Sequence, residues 1–410
     1  MSLVRPFAAL RPADNRAGDV IAPPYDVLDC MEARARAKDR PWSFLHISRA
    51  EIDLPADTDP HDSLVYQTAA DNLRQMLDKG VLRRDASPCY YIYRLVMGEH
   101  RQTGLVAVAS VRDYDSNRIR RHEYTRPDKE DDRVRQIEAL NAQTGPVLLA
   151  YPSRTEVDAL LDAVTTAEPD VDLVADDGIG HSLWVVSDSR VIGQISQAFD
   201  AMPALYIADG HHRSAAASRV AASRRGVGTG QSSGVDYFLT VIFPHNQMQI
   251  LDYNRVVRDL NGMTLETFLA RLTQAFQVTP VAAACHPEGP GEFGMYLGGQ
   301  WYRLAINPER IPDDPVGRLD VSLLADNLLA PVLGISDPRR DVRIGFVGGI
   351  RGLGELESRV DSGDMQVAFA MYPTRMEDLM AVADAGRVMP PKSTWFEPKL
   401  ADGLVSHVLD

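Results

Sequence analysis

Between Leu205 and Ala222 the chain reads as a short apolar strand, an Asp209-Gly210 turn and an alanine-rich helix. Leu205-Tyr-Ile-Ala has the look of a buried strand. Ser214 to Ala222, with Val220 among small residues, has the composition of a helix packed closely against a sheet. Gly210 lets backbone approach a ligand with no Cβ in the way. The first amides of the helix point outward unpaired, and the helix dipole adds partial positive charge there. Those donors converge with His211, His212 and Arg213 where an anion would sit, so phosphate is the guest this turn suits. Arg213 has the fork for bidentate contact with phosphate oxygens, and either imidazole can donate a hydrogen bond or a proton. In the plainer alternative Asp209 caps the helix and the histidines face solvent. Two adjacent histidines and an arginine at a helix start weigh against that. A third reading makes Asp209, His211 and His212 metal ligands. With no cysteine or carboxylate at ligand spacing nearby it ranks below phosphate, and no metal ligand is assigned.

The rest of the chain alternates strand-like and helix-like segments without a repeat of fixed period. Asp62 to Lys79 reads as a helix, since Val65, Ala69, Leu73 and Met76 recur at helical spacing and Gly80 sits where a left-handed cap belongs. Tyr91, Tyr93, Leu95 and Met97 alternate as in a strand, and Leu105 to Val111 follows as its hairpin partner. Met295-Tyr-Leu and Trp301 to Ile306 flank Gly298-Gly299, a second hairpin signal. Gln366 to Met371 reads as a strand. Thr374 and Glu377 have capping-box spacing for a helix through Ala385, closed by Gly386. Gly226 to Gly234 reads as a flexible loop. Hairpins mixed with helices predict an α+β fold with mixed sheets.

A length of 410 residues suggests two or three domains. The division is placed near Asp252 to Asn261. This gives a phosphate-binding catalytic domain over 1–252 and a second α+β domain over 253–410 whose C-terminal segment returns to the site. The net charge of −14 speaks against a general nucleic-acid or membrane binder, because both are held by basic surface. Three scattered cysteines form no metal-ligand pair, and the start carries no basic-then-apolar signal region. The expectation is a cytoplasmic protein with a small ligand.

Four further constellations stand out. Arg120 to Arg133 includes Arg121, His122, Glu123 and Thr125 between a strand and a helix marked by Val134, Ile137 and Leu140. Phosphoryl transfer needs cations and a carboxylate base, which this run contains. A solvated loop of internal ion pairs explains it equally well. In Ile21-Ala-Pro-Pro-Tyr-Asp-Val27 two prolines fix where Tyr25 and Asp26 project, or simply make a turn. In Met389 to Lys399, Lys392 with Ser393 and Thr394 has the means to contact an anion, and a packed, rigid C-terminal segment explains the stretch almost as well. Phe346-Val-Gly-Gly349 is a weak phosphate-loop signal that more often marks a turn.

Val4-Arg-Pro-Phe-Ala-Ala-Leu-Arg-Pro12, Ala22-Pro-Pro-Tyr-Asp-Val27, His122-Glu123-Tyr-Thr125, Ala208-Asp-Gly-His-His-Arg213 and Pro390-Pro-Lys-Ser-Thr394 appear in that order. Together, over essentially the whole chain, they resemble the bacterial and archaeal domain-of-unknown-function family one-zero-one-five. Members often have Tyr-Glu-Thr where Ser214-Ala-Ala stands here, and a histidine where Asn254 stands. The Asp-Gly-His-His-Arg turn alone is similar to the phosphate-binding motif of the partition-protein-B and sulfiredoxin superfamily, which includes free-serine kinases. That resemblance implies ATP or ADP, Mg2+ and a small hydroxyl-bearing acceptor such as serine, or the reverse reaction from phosphoserine. Glu123, Asp209, His211 and His212 are then the expected catalytic groups. Gly210, Arg213, Ser214, Arg121 and Lys392 would meet phosphate or nucleotide, and Tyr25, Asp26, His122 and Thr125 the acceptor. A non-catalytic nucleotide-gated binding protein and a metal-dependent phosphoesterase are the competing expectations.

Overall fold

The computed structural model describes residues 2–225 and 234–410. The loop expected at Gly226 to Gly234 therefore lies outside the described residues except for its last glycine. The chain forms two compact units, one of residues 1–248 with 398–410 and one of residues 249–397. Both combine helices with sheets, and the fold is α+β.

The first unit is built on a nine-stranded mixed sheet. The strands Tyr90–Met97 and His100–Ser110 form the expected antiparallel hairpin, with Met97 opposite His100. Tyr237–Pro244 pairs antiparallel with His100–Ser110 and parallel with Val147–Tyr151. Val147–Tyr151 pairs antiparallel with Leu205–Asp209, which in turn pairs parallel with the two-residue edge strand Ile119–Arg120. Ile92, Leu105, Ala107, Leu149, Ile207 and Ile242 are fully buried in the core this sheet shares with its helices. Each large aliphatic side chain so buried contributes about 1.5–3 kcal/mol. The helix Ser63–Asp78 buries Val65, Ala69, Leu73 and Met76, and the Asp62 carboxylate caps it by accepting the Leu64 N–H at 2.8 Å. Residues 398–410 run antiparallel along this unit. His407 and Val408 pair with Gln143 and Ala142, and Ala22 and Asp402 exchange backbone hydrogen bonds.

The second unit holds a six-stranded antiparallel sheet. Its hairpin joins Glu292–Leu297 to Gln300–Ile306 through Gly298 at φ 58° and Gly299 at φ 81°, conformations that favour glycine. The expected strand is present at Val367–Met371, but the capping box after it does not form. The helix begins at Met376, one residue later than the capping box requires, so Arg375 takes the N-cap position without a side-chain cap, and the Thr374 hydroxyl donates to the Ser393 carbonyl at 2.7 Å. The glycines of Phe346-Val-Gly-Gly349 serve close packing. A Cβ on Gly348 would lie 3.1 Å from the Trp395 ring, and one on Gly349 would collide with the Asp252 carboxylate.

Candidate functional site

The site grows from the end of the Leu205–Asp209 strand. Its pairing with Val147–Tyr151 slips between Ile207 and Asp209, and a bulge there turns the chain out of the sheet. Gly210 follows at φ 95°, and a Cβ on it would lie 2.9 Å from the Arg213 Nε. The helix His211–Arg225 then starts, with Ser214 N–H donating to the Gly210 carbonyl at 3.0 Å. The amides of residues 211–213 precede that bond and face the helix mouth. Ala216, Ala217 and Ala221 are buried to within 1%, so small side chains bring the helix axis close to the sheet.

The edge strand brings a second motif here. Ile119 and Arg120 pair in parallel with Leu205 and Tyr206, so the chain beyond Arg120 travels in the same direction as the chain beyond Tyr206. His122 and Glu123 thereby arrive beside His211. The two imidazoles meet edge to face with centroids 4.5 Å apart, and the His122 backbone N–H donates to His211 Nε2 at 3.4 Å. His211 Nδ1 lies 3.6 Å from the Glu123 carboxylate. Both rings are almost wholly buried, whereas the Glu123 side chain is 54% exposed. Burial pushes the His122 ring down to about 4. Burial, followed by the neighbouring His122 and His212, carries His211 well below its ordinary value. Both are neutral at neutral pH. Among the described residues the His122 Nδ1 has no hydrogen-bond partner.

Burial would raise the Asp209 carboxyl, but Arg213 and Lys399 outweigh it and hold the group below the usual carboxylate range. Arg213 donates to the Asp209 Oδ2 at 3.0 Å and to the Pro146 carbonyl, with its side chain only 10% exposed. Burial opposes the charge of Arg213, yet Asp209, Asp26, Tyr25 and Asp402 around it push its pKa up. The Pro23-Pro24 loop thus carries Tyr25 and Asp26 into the electrostatic surroundings of the motif. The Arg133 guanidinium stacks 3.9 Å over the Tyr25 ring. A cavity behind this ring is lined by Tyr25, Arg133, Gln136, Gln143, Arg213 and Asp402. A second cavity beside the prolines is lined by Arg36, Arg40, His181 and Lys399.

The remaining expected residues fall in different places. His212 Nε2 accepts the Arg126 N–H at 3.1 Å, and burial lowers its pKa. It anchors the incoming loop. The Ser214 hydroxyl is buried and donates to the Gly210 and His211 carbonyls at 3.4 and 3.0 Å, so it turns into its own helix. Arg121 is exposed, with its guanidinium 5.0 Å over the Tyr114 ring. The Thr125 hydroxyl donates to Glu130. Lys392 lies in the second unit at φ 62°, exposed, with its Nζ 5.6 Å over the Tyr253 ring. The charged run from Arg120 divides into two kinds of residue. His122 and Glu123 join the motif, while Arg126–Asp128 and Arg219–Asp131 form exposed ion pairs that water screens.

Sequence reasoning passed over Asp402 and Lys399. Burial pushes the Asp402 carboxyl up to about 7 despite Arg213 nearby. Its one sequence signal is an Asp-Gly dipeptide, Asp402-Gly403, of the kind also found at Asp177-Gly178 and Asp209-Gly210, with Gly403 at φ 90°. Lys399 belongs to the C-terminal stretch singled out for Lys392, and its charge acts on Asp209.

The family model described as protein of unknown function (DUF1015) matches residues 4–322. No curated protein matches the sequence. Among solved structures, a mutant free serine kinase in complex with AMP is similar at 12% identity. The match covers 71% of this chain and 87% of that one at a TM-score of 0.35. A conserved hypothetical protein from Pyrococcus furiosus is similar at 13% identity, over 73% and 94%, with a TM-score of 0.35. A C-terminally truncated SbnI from Staphylococcus aureus is similar at 13%, over 73% and 86%, with a TM-score of 0.38.

Proposed function

The chain belongs to the DUF1015 family, and on that footing we propose that it is a nucleotide- and Mg2+-dependent phosphotransferase acting on free serine or phosphoserine. The carrying observation is the parallel register of Ile119–Arg120 with Leu205–Tyr206, which sets the Glu123 carboxylate 3.6 Å from His211 at the mouth of a glycine turn and a helix. A carboxylate base beside outward-facing amides is the pairing that phosphoryl transfer to a hydroxyl requires. The substrate class comes from the resemblance of the Asp-Gly-His-His-Arg turn to that of free-serine kinases.

In this reading the amides of His211, His212 and Arg213 hold phosphate oxygens, and the positive end of the helix dipole favours their charge. Glu123, more than half exposed, takes the proton from the acceptor hydroxyl. His211, buried and neutral, positions that carboxylate. Asp209 stays ionised beside Arg213 and is 41% exposed, which fits a group holding Mg2+ through water. The ion, when bound, offsets charge on the nucleotide phosphates. Arg213 acts through Asp209, since its guanidinium is engaged by that carboxylate and by Pro146. Tyr25 and Asp26 border the acceptor side, while Arg121 supplies a cation toward the phosphates.

The test is incubation with terminally radiolabelled ATP or ADP, Mg2+ and a panel of amino acids. Label is expected on serine; in the reverse direction, phosphoserine labelled in its phosphoryl group and incubated with ADP or AMP is expected to pass the label to the nucleotide. Glu123→Gln is expected to lower turnover about 10²–10⁴-fold while nucleotide affinity is kept. No transfer in either direction would sink the proposal, and a Glu123→Gln protein with full turnover would remove Glu123 as the base. Tight nucleotide binding without turnover would favour the nucleotide-gated binding protein instead.

A further inference from the structure

Two imidazoles and a carboxylate meet in the first unit. His122, Glu123 and His211 each offer one ligand atom, and these atoms lie within 4.8 Å of one another. Neutral imidazoles suit borderline divalent ions such as Zn2+ or Co2+, whereas Mg2+ takes oxygen ligands. The His122 side chain is almost wholly buried, at 2% exposed. On this ring the Nδ1 is buried and has no hydrogen-bond partner among the described residues. A buried ring nitrogen of this kind calls for a partner.

The spacing points the same way. The 3.6 Å between His211 Nδ1 and Glu123 Oε2 exceeds a good hydrogen bond, and ligation through Nδ1 would cost the long 3.4 Å hydrogen bond that Nε2 accepts from the His122 N–H. The separation is close to the roughly 3.3 Å between two ligands that share one tetrahedral ion through bonds of about 2.0–2.1 Å. The spread of the trio is somewhat wider than that, and Glu123, with 54% of its side chain exposed, has room to swing inward. We infer that His122, Glu123 and His211 hold one divalent transition-metal ion of the Zn2+ class, with its open positions facing solvent and the helix mouth. The inference uses the same residues as the phosphotransfer reading but does not depend on it. Binding of the ion to Glu123 would take that carboxylate away from the acceptor hydroxyl, so Zn2+ is expected to compete with transfer.

The experiment is a titration of the full-length, metal-free protein with Zn2+ by calorimetry and with Co2+ by visible absorption, in the absence of nucleotide and Mg2+. One ion per chain is expected, with the Co2+ bands of a site containing imidazole. Glu123→Gln, at a largely exposed side chain, is expected to keep the melting curve and weaken binding at least about tenfold. His122→Ala is expected to abolish saturable binding. Absence of saturable binding to the wild-type chain would overturn the inference, as would binding that survives both Glu123→Gln and His122→Ala. Because no nucleotide is present, a negative titration leaves the transfer reading standing, and a negative transfer assay leaves the metal site standing.

Discussion

At the scale of single residues, charge and burial divide the work. Arg213 is nearly buried and bonded to Asp209 and Pro146, so its removal leaves a carboxylate and a carbonyl without their donor. Breaking a buried pair from one side costs about 3–5 kcal/mol. Arg213→Ala is expected to lose stability near the lower end of that range, because Asp209 is partly exposed. Urea unfolding measures it, and a loss below about 1 kcal/mol would show the pair to be incidental. Asp402 gives a pH-dependent counterpart. Burial lifts its carboxyl to about 7, so the folded chain holds a proton that the unfolded chain releases near pH 4. The stability from that proton is complete below about pH 4 and is lost as pH rises through about 7. Asp402→Asn cannot ionise. Its melting temperature is therefore expected to gain on that of the wild type between about pH 5 and about pH 8. Parallel melting curves across that window would contradict the assignment.

At the scale of elements, the strand-turn-helix at Leu205 to Ala222 was legible because its signals are local. Gly210 marks the positive φ, and alanines mark the face against the sheet. Gly210→Ala puts a side chain into that φ and a Cβ 2.9 Å from the Arg213 Nε. The variant is expected to lose about 1–3 kcal/mol and to weaken phosphate binding, read by unfolding and by phosphate titration. An unchanged phosphate affinity would place the anion elsewhere. The pairing of Ile119–Arg120 with Leu205–Tyr206 was not legible, because a two-residue strand has no periodicity and its partner is far along the chain. For that reason the meeting of His122 and Glu123 with His211 was invisible as a trio, although each residue had been singled out. The failed capping box at Thr374 has a related cause. The spacing to Glu377 is a local pattern, whereas the helix starts one residue later, with Arg375 at its N-cap position. Asp402 likewise reaches its site from the far end of the sequence, where nothing beside it spells function.

At the scale of the whole molecule, the candidate groups fall mostly in one unit. Residues 1–248 with 398–410 contain the Gly210 turn, Glu123, the Pro23-Pro24 loop, Lys399 and Asp402, whereas Lys392 belongs to the unit of residues 249–397. A net charge of −14 sits on a chain whose helix mouth is nevertheless bordered by Arg121, Arg213 and Lys399, which suits a small anion better than a polyanion. A ligand that binds only the folded chain raises its apparent stability by RT ln(1 + [L]/Kd), about 2.7 kcal/mol at a hundredfold excess over Kd. The measurement that bears most directly on the account is the melting temperature of the intact protein across a nucleotide panel, with and without Mg2+. A concentration-dependent rise with ATP or ADP that is larger in the presence of Mg2+ is the expected result. A flat response to every nucleotide would contradict the phosphotransferase and the nucleotide-gated readings together.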